Sequence, residues 1–283
     1  MKKNYTSSLI ARKVFVYLLF IVIALFIMIP LYALFLATFK DGKDMIQYGI
    51  NLSIEWEKLH LKNYSMLFSG SAGRYWIWYK NSMFLTVIQV VLTLVISACV
   101  AYGFAAYEFP FKNVMFVFVL VIMSIPFEIL MLPLYQQIND MQMSDTYSAV
   151  LLPFLTHAST IFFFRQYISG IPSQIREAGR IDGATEYGIF FRLIFPIMKP
   201  SFAAMAIMNG MNSWNNFLWP LLALRSDSKY TLPIGLNTLI TPYGNNYDLL
   251  IVGSFFAIIP IVILFLLFQR YFIEGMTAGA VKG

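Results

Sequence analysis

Apolar residues gather into long uninterrupted runs separated by polar segments. The pattern predicts six membrane-crossing helices: Val14–Ala37, Ser82–Tyr107, Val114–Leu134, Thr146–Tyr167, Ile197–Leu224 and Leu249–Phe272. Each holds at least the roughly twenty residues that a helix needs to cross a hydrocarbon core ~30 Å thick. Pro126, Pro133, Pro153 and Pro260 lie inside the runs. A membrane helix tolerates them because its neighbours can satisfy the carbonyls that a proline frees. The expected fold class is all-α, a polytopic protein whose kinked spans line a passage.

Composition sharpens this. The chain of 283 residues is 59% hydrophobic and 12% charged, with a mean hydropathy of +0.69. A soluble domain carries about 25% charged residues, so an ordinary soluble domain is excluded. The single cysteine, Cys99, rules out an intrachain disulfide and a multi-cysteine metal site. The formal charge of +6 and pI near 9.2 do not point to nucleic acid. Lys and Arg flank the apolar runs instead of forming a basic domain, as membrane orientation requires.

The first run follows Lys2, Lys3, Arg12 and Lys13. It is longer than the apolar part of a signal peptide, and no small-x-small cleavage site closes it, so it is expected to stay as a span with residues 1–13 cytoplasmic. That orientation puts twelve cations inside, Lys2, Lys3, Arg12, Lys13, Lys112, Arg165, Arg176, Arg180, Arg192, Lys199, Arg270 and Lys282, against eight outside. The permease domain then covers 14–273, with outer loops 38–81 and 225–248, a cytoplasmic loop 168–196 and a cytoplasmic tail 274–283. The first outer loop carries Trp56, Tyr64, Tyr75, Trp76, Trp78 and Tyr79, and its last part reads as an interfacial helix or an aromatic anchor. The second, Arg225–Asp248, is rich in Gly, Pro and Asn and reads either as a reach towards a partner or as a plain connector.

The segment Ser169–Pro200 is too polar and too positive to cross a bilayer. Pro172 and Ser173 offer a helix start, with Ser able to cap and Glu177 early enough to suit the helix dipole. Asp182-Gly183 supplies a break, because glycine takes a positive φ freely. Thr185-Glu186 then opens a second helix running to Pro196. On the first helix Ile175, Ala178, Gly179 and Asp182 share one face, small enough for another surface to approach and suited to docking.

These residues carry a resemblance. Glu177-Ala178-Gly179-x-x-Asp182-Gly183-Ala184, followed by Phe190, Ile194, Pro196 and Pro200, resembles the EAA loop of ABC import permeases, with Gly179 departing from the usual Ala. The six-span layout, the long first outer loop and the ending Gly275–Gly283 are similar to the second permease of maltose-type carbohydrate importers. The resemblance implies the type I ABC importer permease fold and a bacterial inner-membrane location with both termini cytoplasmic. It also implies a second homologous permease, two ATPase subunits that bind the ATP and Mg, and an extracytoplasmic solute-binding protein that delivers a sugar, an oligosaccharide being expected. In such a complex Glu177 pairs with a basic residue of the ATPase and Gly183 sets the bend. About Met276–Gly283 reaches between the ATPases, and the loop Arg225–Asp248 probes the binding protein.

The chain has no G-x-x-x-x-G-K-[ST] phosphate loop, no H-E-x-x-H and no G-x-S-x-G, and only two histidines, His60 and His157. It is expected to be non-catalytic and to hold no cofactor or metal of its own. Candidates for a solute pathway are intramembrane polar groups. Glu128 lies between Pro126 and Pro133, where an ionisable group either faces a water-filled passage or bonds a neighbouring span. Asn209, Asn212, Ser213 and Asn216 share a helical face, and Trp214 or Trp219 could stack on a sugar ring. The competing reading joins helices through the amides and seats the tryptophans at the interface, and it is favoured slightly for any single residue. Two rivals stand against the importer. An ion-gradient transporter would show internal repeat symmetry and usually more intramembrane charge, and a membrane enzyme would need a cluster of catalytic groups.

Overall fold

The computed structural model describes residues 2–49, 52–69, 73–241 and 244–278; the side chains of 2–11, 46–48, 241, 244 and 272–278 lie outside the description. Among the described residues the regular structure is helical apart from two short paired strands, and the chain divides into two compact units: 1–73 with 238–256, and 74–237 with 257–283.

The first unit holds α1 (Lys2–Ala37), α2 (Gly42–Tyr48), α3 (Lys62–Phe68) and the start of α15 (Tyr247–Ala278). α1 begins well before the predicted span, and the most apolar window between Arg12 and Ala37 buries none of its residues inside the chain. Asn63 secures the turn after α1: its Nδ2 donates to the carbonyls of Thr38 at 3.0 Å and Lys40 at 2.8 Å, which lie just past the helix end. The Thr38 hydroxyl meets the Tyr64 hydroxyl at 2.7 Å, and Gly42 N–H donates to Asp248 Oδ1 at 2.6 Å. A hairpin pairs β1 (Ile240–Thr241) antiparallel with β2 (Gly244–Asn245), the one departure from an all-helical reading among the described residues.

The second unit is built round α4 (Tyr75–Ala106), 32 residues long. Tyr75, Trp76, Trp78 and Tyr79 form its first turns, so the separate interfacial helix expected at the end of the first loop does not exist. The helix of the second span begins at Tyr75 itself. α4 packs on α8 (Ala158–Ser169) and α12 (Lys199–Trp214).

Three predicted spans are broken helices. α5 (Lys112–Met123) and α6 (Phe127–Asp140) meet at 99°, so Val114–Leu134 is not one straight rod. Pro126 lacks an N–H and disfavours the helical region for Ile125, and it takes the extended ψ of 133° that turns the chain. Pro133, by contrast, is carried inside α6. The fourth span bends by 43° between the stretch 147–154, which contains α7 (Tyr147–Leu151), and α8. The Phe154 carbonyl, freed there, accepts from Thr93 Oγ1 at 2.8 Å. The fifth predicted span, Ile197–Leu224, is interrupted twice. A 76° bend precedes α12, and Asn215 ends it before α13 (Leu218–Ala223). The last helix outruns its predicted end at Phe272 and continues to Ala278. The tail residues 279–283, expected to reach between ATPases, lie outside the described residues.

Candidate coupling site

The segment between α8 and α12 forms two short helical limbs about one glycine. α9 (Ser173–Ile181) ends at Asp182, and Gly183 takes φ +74°. The second limb is α10 (Glu186–Gly188), which continues as a π-helical stretch, Ile189–Ile194, into α11 (Phe195–Ile197). Thr185 caps it, its Oγ1 accepting from Gly188 N–H at 3.2 Å. Pro172, not Ser173, occupies the cap of α9, and no side chain bonds there. The widened π-turns have a local cause. Pro196 has no N–H for the Arg192 carbonyl, and the Phe195 N–H reaches back to Phe190 O.

The small face of α9 is divided: Ala178 and Asp182 are exposed, Ile175 is half-buried and Gly179 points inward. Gly179 is buried, and a Cβ there would stand 2.8 Å from Leu193 Cδ1 and 3.0 Å from Ile189 Cγ1 of the second limb. The close approach that the glycine permits is therefore made by this chain, and it accounts for Gly179 where Ala is usual. Glu177, Ala178, Asp182, Gly183 and Ala184 are exposed. So are two large apolar side chains flanking the bend, Ile181 at 86% and Tyr187 at 80% exposure. Beneath the limbs Ile189, Phe190, Ile194 and Met198 pack with Ala101, Tyr102, Phe164 and Ile168 into one apolar cluster.

Polar contacts pin the limbs. Arg180 Nε donates to Glu186 Oε1 at 2.7 Å, and the Tyr107 hydroxyl donates to Glu186 Oε2 at 2.9 Å. The Arg180 bond first, then the Tyr107 bond, holds the Glu186 carboxyl below its usual range against the opposing effect of burial. Arg176 Nη1 donates to the Ala105 carbonyl at 3.3 Å. Glu177, in contrast, has no hydrogen bond or ion pair among the described residues, so its carboxylate is available to another molecule.

The pathway candidates part company. Asn209 is buried, and its Nδ2 donates to Thr160 Oγ1 at 3.1 Å and Met205 O at 2.9 Å. Ser213 Oγ donates to Gln89 Oε1 at 2.9 Å. Trp214 and Trp219 are buried, with Nε1 donating to Ala257 O at 3.0 Å and Ala149 O at 3.1 Å. Neither ring is free to stack on a sugar. Asn212 is exposed, Asn216 half-buried. Glu128 is exposed in the first turn of α6, just past the right-angled break, where a carboxylate also suits the helix dipole. Among the described residues no group of three or more His, Cys, Asp or Glu could hold a metal ion.

Residues 94–277 match the family described as binding-protein-dependent transport system inner membrane component. The chain belongs to this family. It is an inner-membrane permease subunit of a binding-protein-dependent transport system. Among its relatives is the arabinooligosaccharides transport system permease protein AraQ of Halalkalibacterium halodurans, 52% identical over 93% of this chain and 94% of that one. AraQ of Bacillus subtilis is 47% identical over 94% of each chain. A solved bacterial ABC transporter involved in import of the acidic polysaccharide alginate matches with TM-score 0.77 at 21% identity, covering 92% of this permease and 97% of that chain. The fold is thus that of an ABC importer permease.

Sequence reasoning gave no contact role to Tyr102, Tyr107, Arg176, Arg180 and Glu186, which hold the permease's bend, although Arg180 and Glu186 stand symmetrically about Gly183. It also missed Asp145, at the other end of the unit. Asp145 takes φ +60° and accepts from Arg225 and Ser226 N–H at 3.0 Å each, Ser226 Oγ at 2.5 Å and Lys229 Nζ at 3.0 Å. Burial alone would raise its carboxyl, but the Ser226, Arg225 and Lys229 bonds together hold it far below the usual range. Asn81 Nδ2 adds bonds to Ser228 O at 3.0 Å and Tyr230 O at 2.9 Å. The first part of the loop expected to reach outward, 225–230, is therefore tied to its own chain.

Proposed function

We propose that this permease is one of a pair of membrane subunits of an ATP-driven importer for a carbohydrate, an arabino-oligosaccharide being the favoured solute. Both termini and the bend at Gly183 face the cytoplasm. Two separate ATPase subunits bind ATP and Mg and receive the bend. An extracytoplasmic binding protein delivers the sugar, and a second homologous permease completes the passage. Closure of the ATPases displaces both permeases' bends, the passage opens outward, and hydrolysis resets it.

The observation that carries this reading is the surface around Gly183. It offers an uncommitted carboxylate, Glu177, beside Ile181 and Tyr187, two large apolar groups that no described residue covers. Exposed apolar side chains rimmed by charge fit a cleft in another protein. The names of the AraQ relatives support the solute class. Asn212, Asn216 and Glu128 are the pathway candidates not committed to bonds between this chain's helices. Asn209, Ser213 and Trp214 hold α12 in place beside them.

The test is uptake of labelled arabinotriose by cells or proteoliposomes holding the whole transporter. Gly183→Val and Glu177→Lys should abolish uptake while the chain inserts at wild-type level. Undiminished uptake by both, or uptake that an ionophore stops while ATP is present, would overturn the reading.

A further inference from the structure

The two limbs of the bend are held to α4 by a chain of charged contacts centred on Glu186. Its carboxylate joins Arg180 on the first limb to Tyr107, the residue that caps α4, while the Tyr102 hydroxyl stands 3.4 Å from Oε2. Arg176 takes the Ala105 carbonyl, one of those the last turn of α4 leaves free. Lys112 Nζ fixes the same end by donating to Tyr107 O at 2.8 Å. Glu186 is itself anchored, because it opens α10 directly after its capping residue, Thr185.

Two kinds of contact therefore connect the bend to the span. The apolar one, with the Tyr102 ring 4.8 Å from Phe190, is non-directional and permits the limbs to slide over the helix. The polar one is directional and charge-assisted, a class of hydrogen bond roughly twice as strong as a neutral one. A displaced bend that keeps these bonds must carry the end of α4 with it. α4 in turn packs on α8 and α12.

We propose that Glu186 is the positioning residue that transmits displacement of the bend to α4, through Arg180 on one side and Tyr107 on the other. This rests on the reading of the bend as the surface that meets the ATPase. Glu177 would engage the motor, and Glu186 would engage the span.

Cys99, the single cysteine, is exposed on α4 one turn before Tyr102 and reports on that helix. The complete transporter, with partner subunits free of cysteine, is labelled at Cys99 with a nitroxide and trapped with ATP and vanadate. Trapping should change the wild-type spectrum. Glu186→Gln and Tyr107→Phe should at least halve that change while trapping the same amount of nucleotide, and should lower solute uptake per ATP hydrolysed by about fivefold or more. Equal spectral changes in the wild type and both variants would overturn the proposal. So would a loss matched by an equal loss of trapped nucleotide, which a merely structural role would produce. A wild-type complex that binds no ATPase sinks the reading of the bend itself, whereas trapping that moves α4 equally with and without Glu186 sinks only the role of Glu186.

Discussion

Asn209 on α12 donates to the Thr160 hydroxyl on α8 at 3.1 Å, in a position where both groups are buried. The bond joins two spans and, with the one to Met205 O, uses the amide nitrogen of Asn209 that would otherwise be open to a solute. Asn209→Ala should destabilise the purified permease by about 1 kcal/mol, since membrane interhelical bonds are modest and the Thr160 hydroxyl would lose a partner. Exposed Asn212→Ala should leave stability within about 0.5 kcal/mol and act on the KM of uptake instead. Thermal unfolding in detergent beside uptake kinetics checks both.

Gly183 has open space where a Cβ would go, but its φ is +74°. The demand is therefore conformational and not steric. Gly183→Val should cost about 1–2 kcal/mol locally and unseat the bend, whereas Gly183→Asn, which tolerates that region, should retain most uptake. Equal loss in the two variants would point to a need for clearance instead.

The tie of Asp145 to residues 225–229 has a defined pH window. Its carboxyl is depressed when folded, so its stabilising effect is complete above the ordinary carboxylate value of about 3.9 and disappears as pH falls through the folded value. Asp145→Asn should lower the unfolding temperature at pH 7. The gap from wild type should narrow only below about pH 4. A gap that closed between pH 7 and 5 would contradict the hydrogen-bond set around this carboxylate.

Gly235 sits against the Trp78 indole so closely that a methyl group would overlap the ring. Trp78 cannot easily yield, because its Nε1 donates to Asp227 Oδ1 at 3.0 Å and Asp227 O at 3.1 Å, and Asp227 is ion-paired with Arg74. Gly235→Ala should therefore destabilise by about 1–3 kcal/mol. Gly103→Ala on α4, with nothing within 4 Å of its Cβ, should be neutral or gain up to about 1 kcal/mol in helix propensity. Unfolding midpoints of the two variants measured side by side separate the cases.

What the sequence alone determined here is what local physics controls. Twenty-residue apolar runs have one stable form in lipid, so the all-helical membrane architecture was legible. Asp182-Gly183 between two short polar helices announced the bend, because glycine freely takes the positive φ that ends one helix and lets the next begin. The tertiary structure decided which polar groups meet. Gln89 and Ser213, Thr160 and Asn209, Glu186 and Tyr107 lie from 49 to 124 residues apart. Periodicity along one helix cannot say whether its polar face finds another helix or a passage. Angles at prolines were equally beyond reach, since Pro126 turns the chain by 99° while Pro133 rides inside a helix. Each outcome depends on whether neighbouring elements take up the freed carbonyls, as the Thr93 hydroxyl does for Phe154.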